Sequence, residues 1–343
     1  MTAPRFHGRS MRYMAAGLWL VIAPVSAFAA LDFDPDQRED VAALVQELEA
    51  RGVEREWLIE AMRDAKFQQG VLDAMAGAAE RRLRWDEYRD IFLQPERIER
   101  GVEFIEAHRD AFERAEAEYG VPAPVIAAII GVETSYGRFT GRHRVLDSLS
   151  TLAFHHPSRG DFFRGELLAF LEITREQGVD PGSLNGSYAG AMGYPQFIPT
   201  SYRAYAVDFD SDGKRDLWEN PVDAIGSVGN YFAEHGWVAD APIYSEAQGP
   251  DELPNTVSFN KTQPPYTTLA SLSEVGIEPD ADDAMQDEQS VIPLALDHVD
   301  GQYRYRLGHD NFYVITRYNH SHLYAMAVTE LAEAIQASRE EQP

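Results

Sequence analysis

Val125-Ile126-Ala127-Ala128-Ile129-Ile130-Gly131-Val132-Glu133-Thr134-Ser135-Tyr136-Gly137 is the stretch that decides how this 343-residue chain is read. Pro122 and Pro124 stand just before it, where proline is tolerated in the first turn of a helix. The run from Val125 to Val132 is apolar on every face, so the helix it predicts is buried. Glu133 ends that run. Burial disfavours the charged form of a carboxylate and raises its pKa. A carboxyl that keeps its proton near neutral pH can protonate a glycosidic oxygen. The plain alternative is a glutamate that caps the helix or pairs with Arg138 or Arg142, and the helix alone leaves both readings open.

Downstream, Ser187-Tyr188-Ala189-Gly190-Ala191-Met192-Gly193-Tyr194-Pro195-Gln196-Phe197-Ile198-Pro199 is dense in small residues, hydroxyls and one amide. Gly and Ala let a ligand approach the backbone closely. Tyr194 and Phe197 offer ring faces to sugars, and Gln196 offers both a donor and an acceptor. A tight helix–helix contact is the plain alternative.

Asp208-Phe209-Asp210-Ser211-Asp212-Gly213-Lys214-Arg215-Asp216-Leu217-Trp218-Glu219 has the spacing of an EF-hand calcium loop. Acids fill positions 1, 3, 5 and 9 (Asp208, Asp210, Asp212, Asp216), glycine fills position 6, the Lys214 carbonyl serves position 7, and Glu219 stands at position 12. The loop lies between the Gln196 segment and the helix that starts near Asn220, which predicts a structural Ca2+ rather than a catalytic one. A solvated acidic turn is the alternative. His155-His156 lacks further ligands at metal spacing and is read as a loop near the cleft.

The rest of the chain sorts by pattern. Residues 31–119 read as helical, with Val41, Leu44, Val45 and Leu48, then Trp57, Leu58 and Met62, at helix spacing. Within them, Arg81 to Phe92 reads as a charged helix face with core aromatics Trp85 and Tyr88, a sugar-contacting face being the alternative. Residues 120–240 carry the motifs on short helices. In residues 241–312 prolines cluster, and Thr256–Phe259, Ser290–Leu296 and Gln302–Leu307 suit strands. Residues 313–343 return to a helical pattern over Asn319–Ala337. The fold class is therefore mainly α (α+β), with a small inserted β subdomain.

Arg5, Arg9 and Arg12, an apolar stretch from Met14 to Val25, and Ala27-Phe28-Ala29 have the order of a secretory signal peptide over residues 1–29. An uncleaved anchor is the alternative, but the stretch is shorter than the roughly 20 residues a span needs. There is no cysteine, so neither a disulfide nor an N-terminal lipid-modified cysteine is available. The formal net charge is -26. Such a surface repels nucleic acid, and any attraction to an anionic polymer has to be local, in a cleft. A monomer in the periplasm is the expectation.

Gly131–Gly137, Ser187–Pro199, Asn220-Pro221-Val222-Asp223-Ala224-Ile225-Gly226-Ser227 and Ile315-Thr316-Arg317-Tyr318-Asn319 together resemble the lytic murein transglycosylase B family. The resemblance spans about residue 35 to 335, and four ordered motifs make it specific. It implies a goose-type-lysozyme-like catalytic core with a helical domain and a small β domain. It further implies that Glu133 is the sole acid/base, cleaving peptidoglycan between MurNAc and GlcNAc and leaving a 1,6-anhydroMurNAc end. Ser187, Gln196, Tyr318, Asn319 and Tyr324 match positions that line the family's glycan cleft, with Tyr194 in the same segment. Arg159 matches a basic contact for the peptide or lactyl group. In the calcium loop the family's closing ligand corresponds to Asp223, so Glu219 and Asp223 both stand as candidates. Glycan strands are the implied partner, with cell-wall synthesis proteins a further class. Ordinary glycosidases use two carboxylates. Asp147, Asp161 and Asp180 are the nearby acids, and each reads as a helix cap or a solvent-facing group. A hydrolytic muramidase and a non-catalytic calcium-stabilised wall-binding protein are the competing functions.

Overall fold

The computed structural model describes residues 32–77, 83–280 and 285–341. The expected signal segment lies outside the described residues, as does Arg81. Six helices come first: Glu39–Ala50, Arg55–Asp64, Gln69–Gly77, Trp85–Phe92, Pro95–Ala107 and Arg109–Tyr119. Their apolar stripes face one core. Val41, Leu44, Val45 and Leu48, spaced three and four apart, are all fully buried.

The helix Ala123–Thr134 runs through the centre, with every residue from Ala123 to Gly131 buried. It stops abruptly because Ser135, Tyr136 and Gly137 all take left-handed backbone angles (φ 50°, 61° and 82°). Two of these are not glycine, an arrangement that costs energy and persists only where surrounding contacts enforce it. The enforcing contacts are Ser135 N–H to Gly131 O (3.1 Å) and Tyr136 N–H to Ile130 O (3.3 Å). The C-terminal helix His322–Glu340 packs along this central helix and along Pro95–Ala107, while Pro221–Glu234 packs on Arg109–Tyr119. Val145–His155 and the 18-residue Gly160–Gln177 form a second packed pair. No single described helix is long and apolar enough to cross a membrane.

A short antiparallel pair, β1 (His143–Arg144) and β2 (Asn185–Gly186), ties the loop after Glu133 to the start of the Ser187 segment. The larger sheet has five antiparallel strands: β3 (Tyr244–Gln248), β4 (Thr267–Thr268), β5 (Glu278–Pro279), β6 (Ser290–Asp297) and β7 (Tyr303–Gly308), in the order β4-β6-β7-β3-β5. Strand β6 shows why its sequence is apolar on both sides. Ile292, Leu294 and Leu296 join the main core, whereas Val291 and Ala295 join a second core with Leu269, Leu272, Ile277, Tyr305 and Leu307. A strand buried on both faces reads as a continuous apolar run rather than an alternation.

Two expectations change here. Thr256–Phe259 is not a strand; Val257 and Phe259 pack their side chains on the second core. Asn260 fastens the segment instead, donating from Nδ2 to Ala295 O and accepting Ala295 N–H on Oδ1, both at 3.0 Å. Conversely, β3, polar in sequence, pairs with both β7 and β5. The helices Leu269–Ser273 and Asp310–Tyr318 also went unread.

Candidate active site

Glu133 lies in the last turn of the central helix. Among the described residues its carboxyl has one hydrogen-bonded partner, Tyr324, whose hydroxyl donates to Oε1 at 2.6 Å from the first turn of the C-terminal helix. Desolvation pushes the carboxyl pKa up to about 7, and the Tyr324 bond opposes that rise. The residue as a whole is partly buried, while its carboxyl is crowded enough by protein for desolvation to dominate its pKa. No charged side chain among the described residues contributes to the shift. The alternative reading, an ion pair with Arg138 or Arg142, is not what the structure shows.

Tyrosines surround this group. Tyr318 stacks on Tyr324 (centroids 6.3 Å apart, planes 12° from parallel), and its hydroxyl donates to Pro195 O at 2.6 Å. Tyr88 is close enough for the Glu133 charge to help raise its pKa, to about 12, with desolvation the larger cause. Sequence reasoning left Tyr88 as a core aromatic of a charged helix. One face of Trp85–Phe92 buries Trp85 while Tyr88 stays half-buried, a difference that helical periodicity alone does not reveal. Thr134 was also missed. Its Oγ1 donates to Ile130 O (3.1 Å) or Tyr194 O (3.0 Å) and accepts Gly137 N–H, which links the glutamate turn to the Ser187–Pro199 segment.

Within that segment the residues differ in what they leave free. Gln196, at φ 49°, donates from Nε2 to Thr140 O (3.1 Å) and Gly193 O (2.9 Å). Its amide protons are therefore spent, and its carbonyl oxygen is the group left for a ligand. Ser187 Oγ accepts the N–H groups of Ala189 (3.2 Å) and Ala191 (3.0 Å), holding the glycine-rich turn closed. The Tyr194 ring lies against Gly137, where any Cβ would collide with it, and near-parallel to Phe104 at 6.4 Å. Phe197 is buried and packs on Tyr231 and Tyr318, so it offers no face to a sugar. Asn319 is exposed just after Tyr318. Arg159 is exposed at the start of Gly160–Gln177, stacked over Phe162 and Phe163.

Asp161 is exposed in a first helical turn, and Asp180 accepts Gly182 N–H as a cap. Asp147 departs from the expectation of a cap or a solvent-facing group. It is buried and bound by Arg144, Lys66 N–H and Gln68. His156 Nδ1 accepts the N–H groups of Ser158 and Arg159, while His155 packs edge-on against Phe33 and Phe67.

In the acidic loop, Asp208, Asp210 and Asp212 bring carboxylate oxygens within 4.8 Å of one another. No salt bridge to any of the three occurs among the described residues. Asp216 is set apart, its Oδ1 accepting the N–H groups of Trp218 and Glu219. Glu219 is exposed. Asp223 is fully buried beneath the loop, accepting Phe209 N–H (2.7 Å) and Asp216 N–H (2.8 Å). Asn220 joins loop to helix, donating to Asp210 Oδ2 (2.8 Å) and capping Pro221–Glu234.

A family model described as the transglycosylase SLT domain matches residues 36–333. The chain belongs to this transglycosylase family. A curated relative, membrane-bound lytic murein transglycosylase B of Escherichia coli (strain K12), is 42% identical over 297 residues, covering 84% of this chain and 80% of the relative. Among solved structures, the soluble lytic transglycosylase SltB1 of Pseudomonas aeruginosa is 48% identical with a TM-score of 0.82, over 88% of this chain and 99% of that one. Slt35 of Escherichia coli, in complex with calcium, is 42% identical with a TM-score of 0.79, over 88% and 93%. SltB3 of Pseudomonas aeruginosa, in complex with NAG-anhNAM-pentapeptide, is 30% identical with a TM-score of 0.74, over 88% and 80%. The SLT transglycosylase described here is thus an enzyme acting on peptidoglycan, with the lysozyme-like, mainly helical fold of those relatives.

Proposed function

We propose that the enzyme cleaves the β-1,4 bond between MurNAc and GlcNAc with Glu133 as its only acid and base, leaving a 1,6-anhydroMurNAc end. One observation carries this reading. Burial pushes the Glu133 carboxyl pKa up to about 7, and among the described residues the carboxyl is bound by a single hydroxyl, that of Tyr324, with no second carboxylate contributing to the shift. Two-carboxylate glycosidases place the pair roughly 5 to 9.5 Å apart, and no second carboxylate among the described residues contributes to the Glu133 shift. Glu133 first gives its proton to the glycosidic oxygen as the C1–O bond breaks. The substrate's acetamido group stabilises the positive charge at C1. Glu133, now a carboxylate, removes the proton of the MurNAc 6-hydroxyl, whose oxygen bonds to C1. An attacking group tethered to the same ring has a large effective molarity and replaces a bound water. Tyr324 stabilises the carboxylate state between the two transfers, and the Gln196 carbonyl is placed to accept an N–H from the sugar. Tyr88, Tyr318, Ser187, Tyr194, Asn319 and Arg159 complete the proposed cleft wall.

The anhydro outcome also accords with the anhydro ligand of SltB3. The test is digestion of purified sacculi with mass spectrometry of the released muropeptides. Products lighter by one water than hydrolysed ends are expected; hydrolysed ends would make the enzyme a muramidase. Glu133→Gln is expected to bind glycan without cutting it, and near-normal cleavage by that variant removes the mechanism.

For the acidic loop we infer a structural calcium held by Asp208, Asp210 and Asp212 with the Lys214 carbonyl. Three clustered carboxylates with no basic partner among the described residues suit a hard divalent cation, and Slt35 is in complex with calcium. Asp216, Glu219 and Asp223 remain further oxygen sources around that loop. A periplasmic location, with glycan strands as the partner, follows from the substrate and from the basic–apolar N-terminal order.

A further inference from the structure

A cavity of about 560 Å³ opens beside the Glu133 cluster, where Trp85–Phe92, the five-stranded sheet and the start of the C-terminal helix meet. Tyr88, Asn260, Asp297, Tyr303, Ser321 and His322 are among its walls. It shares Tyr88 with the surroundings of Glu133, and Ser321 accepts the N–H of Tyr324, the residue bound to Glu133. The cavity is therefore joined to the catalytic carboxyl through Tyr88 and the Ser321–Tyr324 turn, so an extended substrate lying across Glu133 is placed to enter it.

The chemistry of the walls selects that group. Asp297 is the one carboxylate, and no lysine or arginine is among the described residues lining the cavity. Asp297 Oδ1 accepts Trp85 N–H at 2.9 Å, and no ion pair to it occurs among the described residues. The nearby guanidinium of Arg84 is held by Asp86 and Glu87. Burial drives the His322 pKa down to about 4, so its imidazole is neutral under working conditions. Asn260 has both ends of its amide bound to Ala295 and is a fixed wall. What remains is a carboxylate with no ion pair among the described residues, in a cavity that Tyr88 and Tyr303 also line and whose basic neighbours include the already paired Arg84 and a neutral His322. Such a wall favours an ammonium group through charge, with the aromatic rings available for cation–π attraction.

We propose that this cavity is a specificity subsite for an amine carried on the peptide stem of the glycan substrate, with Asp297 as its charge partner. The inference rests on the function proposed above, because the stem reaches the cavity only if the glycan lies across Glu133.

The test compares three substrates: stem-bearing glycan strands with free amines, the same strands after chemical N-acetylation, and strands stripped of their stems. For the wild-type enzyme, acetylation is expected to raise KM about tenfold with little change in kcat, the size of one lost charge-assisted contact. Asp297→Asn keeps the acceptor for Trp85 N–H, and is expected to raise KM similarly on the free-amine strands and to abolish the effect of acetylation. The acetylation arm uses the unaltered protein, so it stands even if the variant is unstable. Equal KM for free and acetylated strands overturns the proposal. So does an equal loss on stem-free strands with Asp297→Asn, which would assign the cavity to a sugar. If the wild-type enzyme cuts none of the three, the proposed function fails instead.

Discussion

Glu133→Gln should make the protein more stable at alkaline pH while removing its activity. The folded carboxyl has its pKa raised from 4.5 to about 7 by desolvation. Between those values the unfolded chain has lost the proton and the folded chain still holds it, so folding stability falls as pH rises through that window. A shift of that size corresponds to about 3 kcal/mol once pH exceeds the folded pKa, at about 1.4 kcal/mol per unit. The residue's partial exposure lets solvent screen the charge, which trims the figure to roughly 2 kcal/mol. Glutamine keeps the shape and the acceptor for the Tyr324 hydroxyl but carries no charge to bury. Urea melts of both proteins at about pH 8.5 should therefore separate by roughly 2 kcal/mol, and at about pH 5.5 by under half of that. In calorimetry the alkaline difference amounts to a few degrees in Tm. Equal stability of the two proteins at alkaline pH would show that Glu133 is not desolvated. A gain that is the same at both pH values would show that charge is not its cause.

Three further outcomes follow. Tyr324→Phe removes a bond that favours the carboxylate, so the Glu133 pKa rises further and the high-pH limb of kcat/KM moves up by about one unit; a limb that stays put or moves down rules out this coupling. Asp208→Asn should abolish a calcium-dependent rise in Tm that the unaltered protein shows in calcium against chelator; an unaltered protein whose melting ignores calcium argues against occupancy of the loop. Gly141→Ala should cost roughly 2–4 kcal/mol, because Gly141 has φ 105° and a Cβ there collides with the Gly186 backbone; a melting temperature within a degree of the parent would refute the close approach of these loops.

The local parts of the fold were legible because helix periodicity and the apolar run before Glu133 are properties of neighbouring residues. The spacing of Asp208, Asp210 and Asp212 around Gly213 likewise carries its geometry in the chain itself. Strand β3 was not legible. Its Tyr-Ser-Glu-Ala-Gln sequence has no strand signature, and it becomes a strand because β7 and β5 pair with it on both edges. Thr256–Phe259 has the composition of a strand but no partner ladder, so its apolar side chains pack without one.

The same division holds at the site. The sequence by itself determined that a carboxylate ends a buried helix, which charge-desolvation physics converts into a proton held near neutral pH. Only the tertiary structure decided which groups face it. Tyr324 lies 191 positions further along the chain and meets Glu133 because two buried helices pack together. Tyr88 arrives in the same way, and Thr134, adjacent to Glu133 in the chain, meets Tyr194 only in the folded state, while Phe197, which looked available for a sugar, is enclosed by Tyr231 and Tyr318. Side-chain identity fixes what a residue can do; contacts between elements far apart in the chain fix which atoms it is left free to do it with.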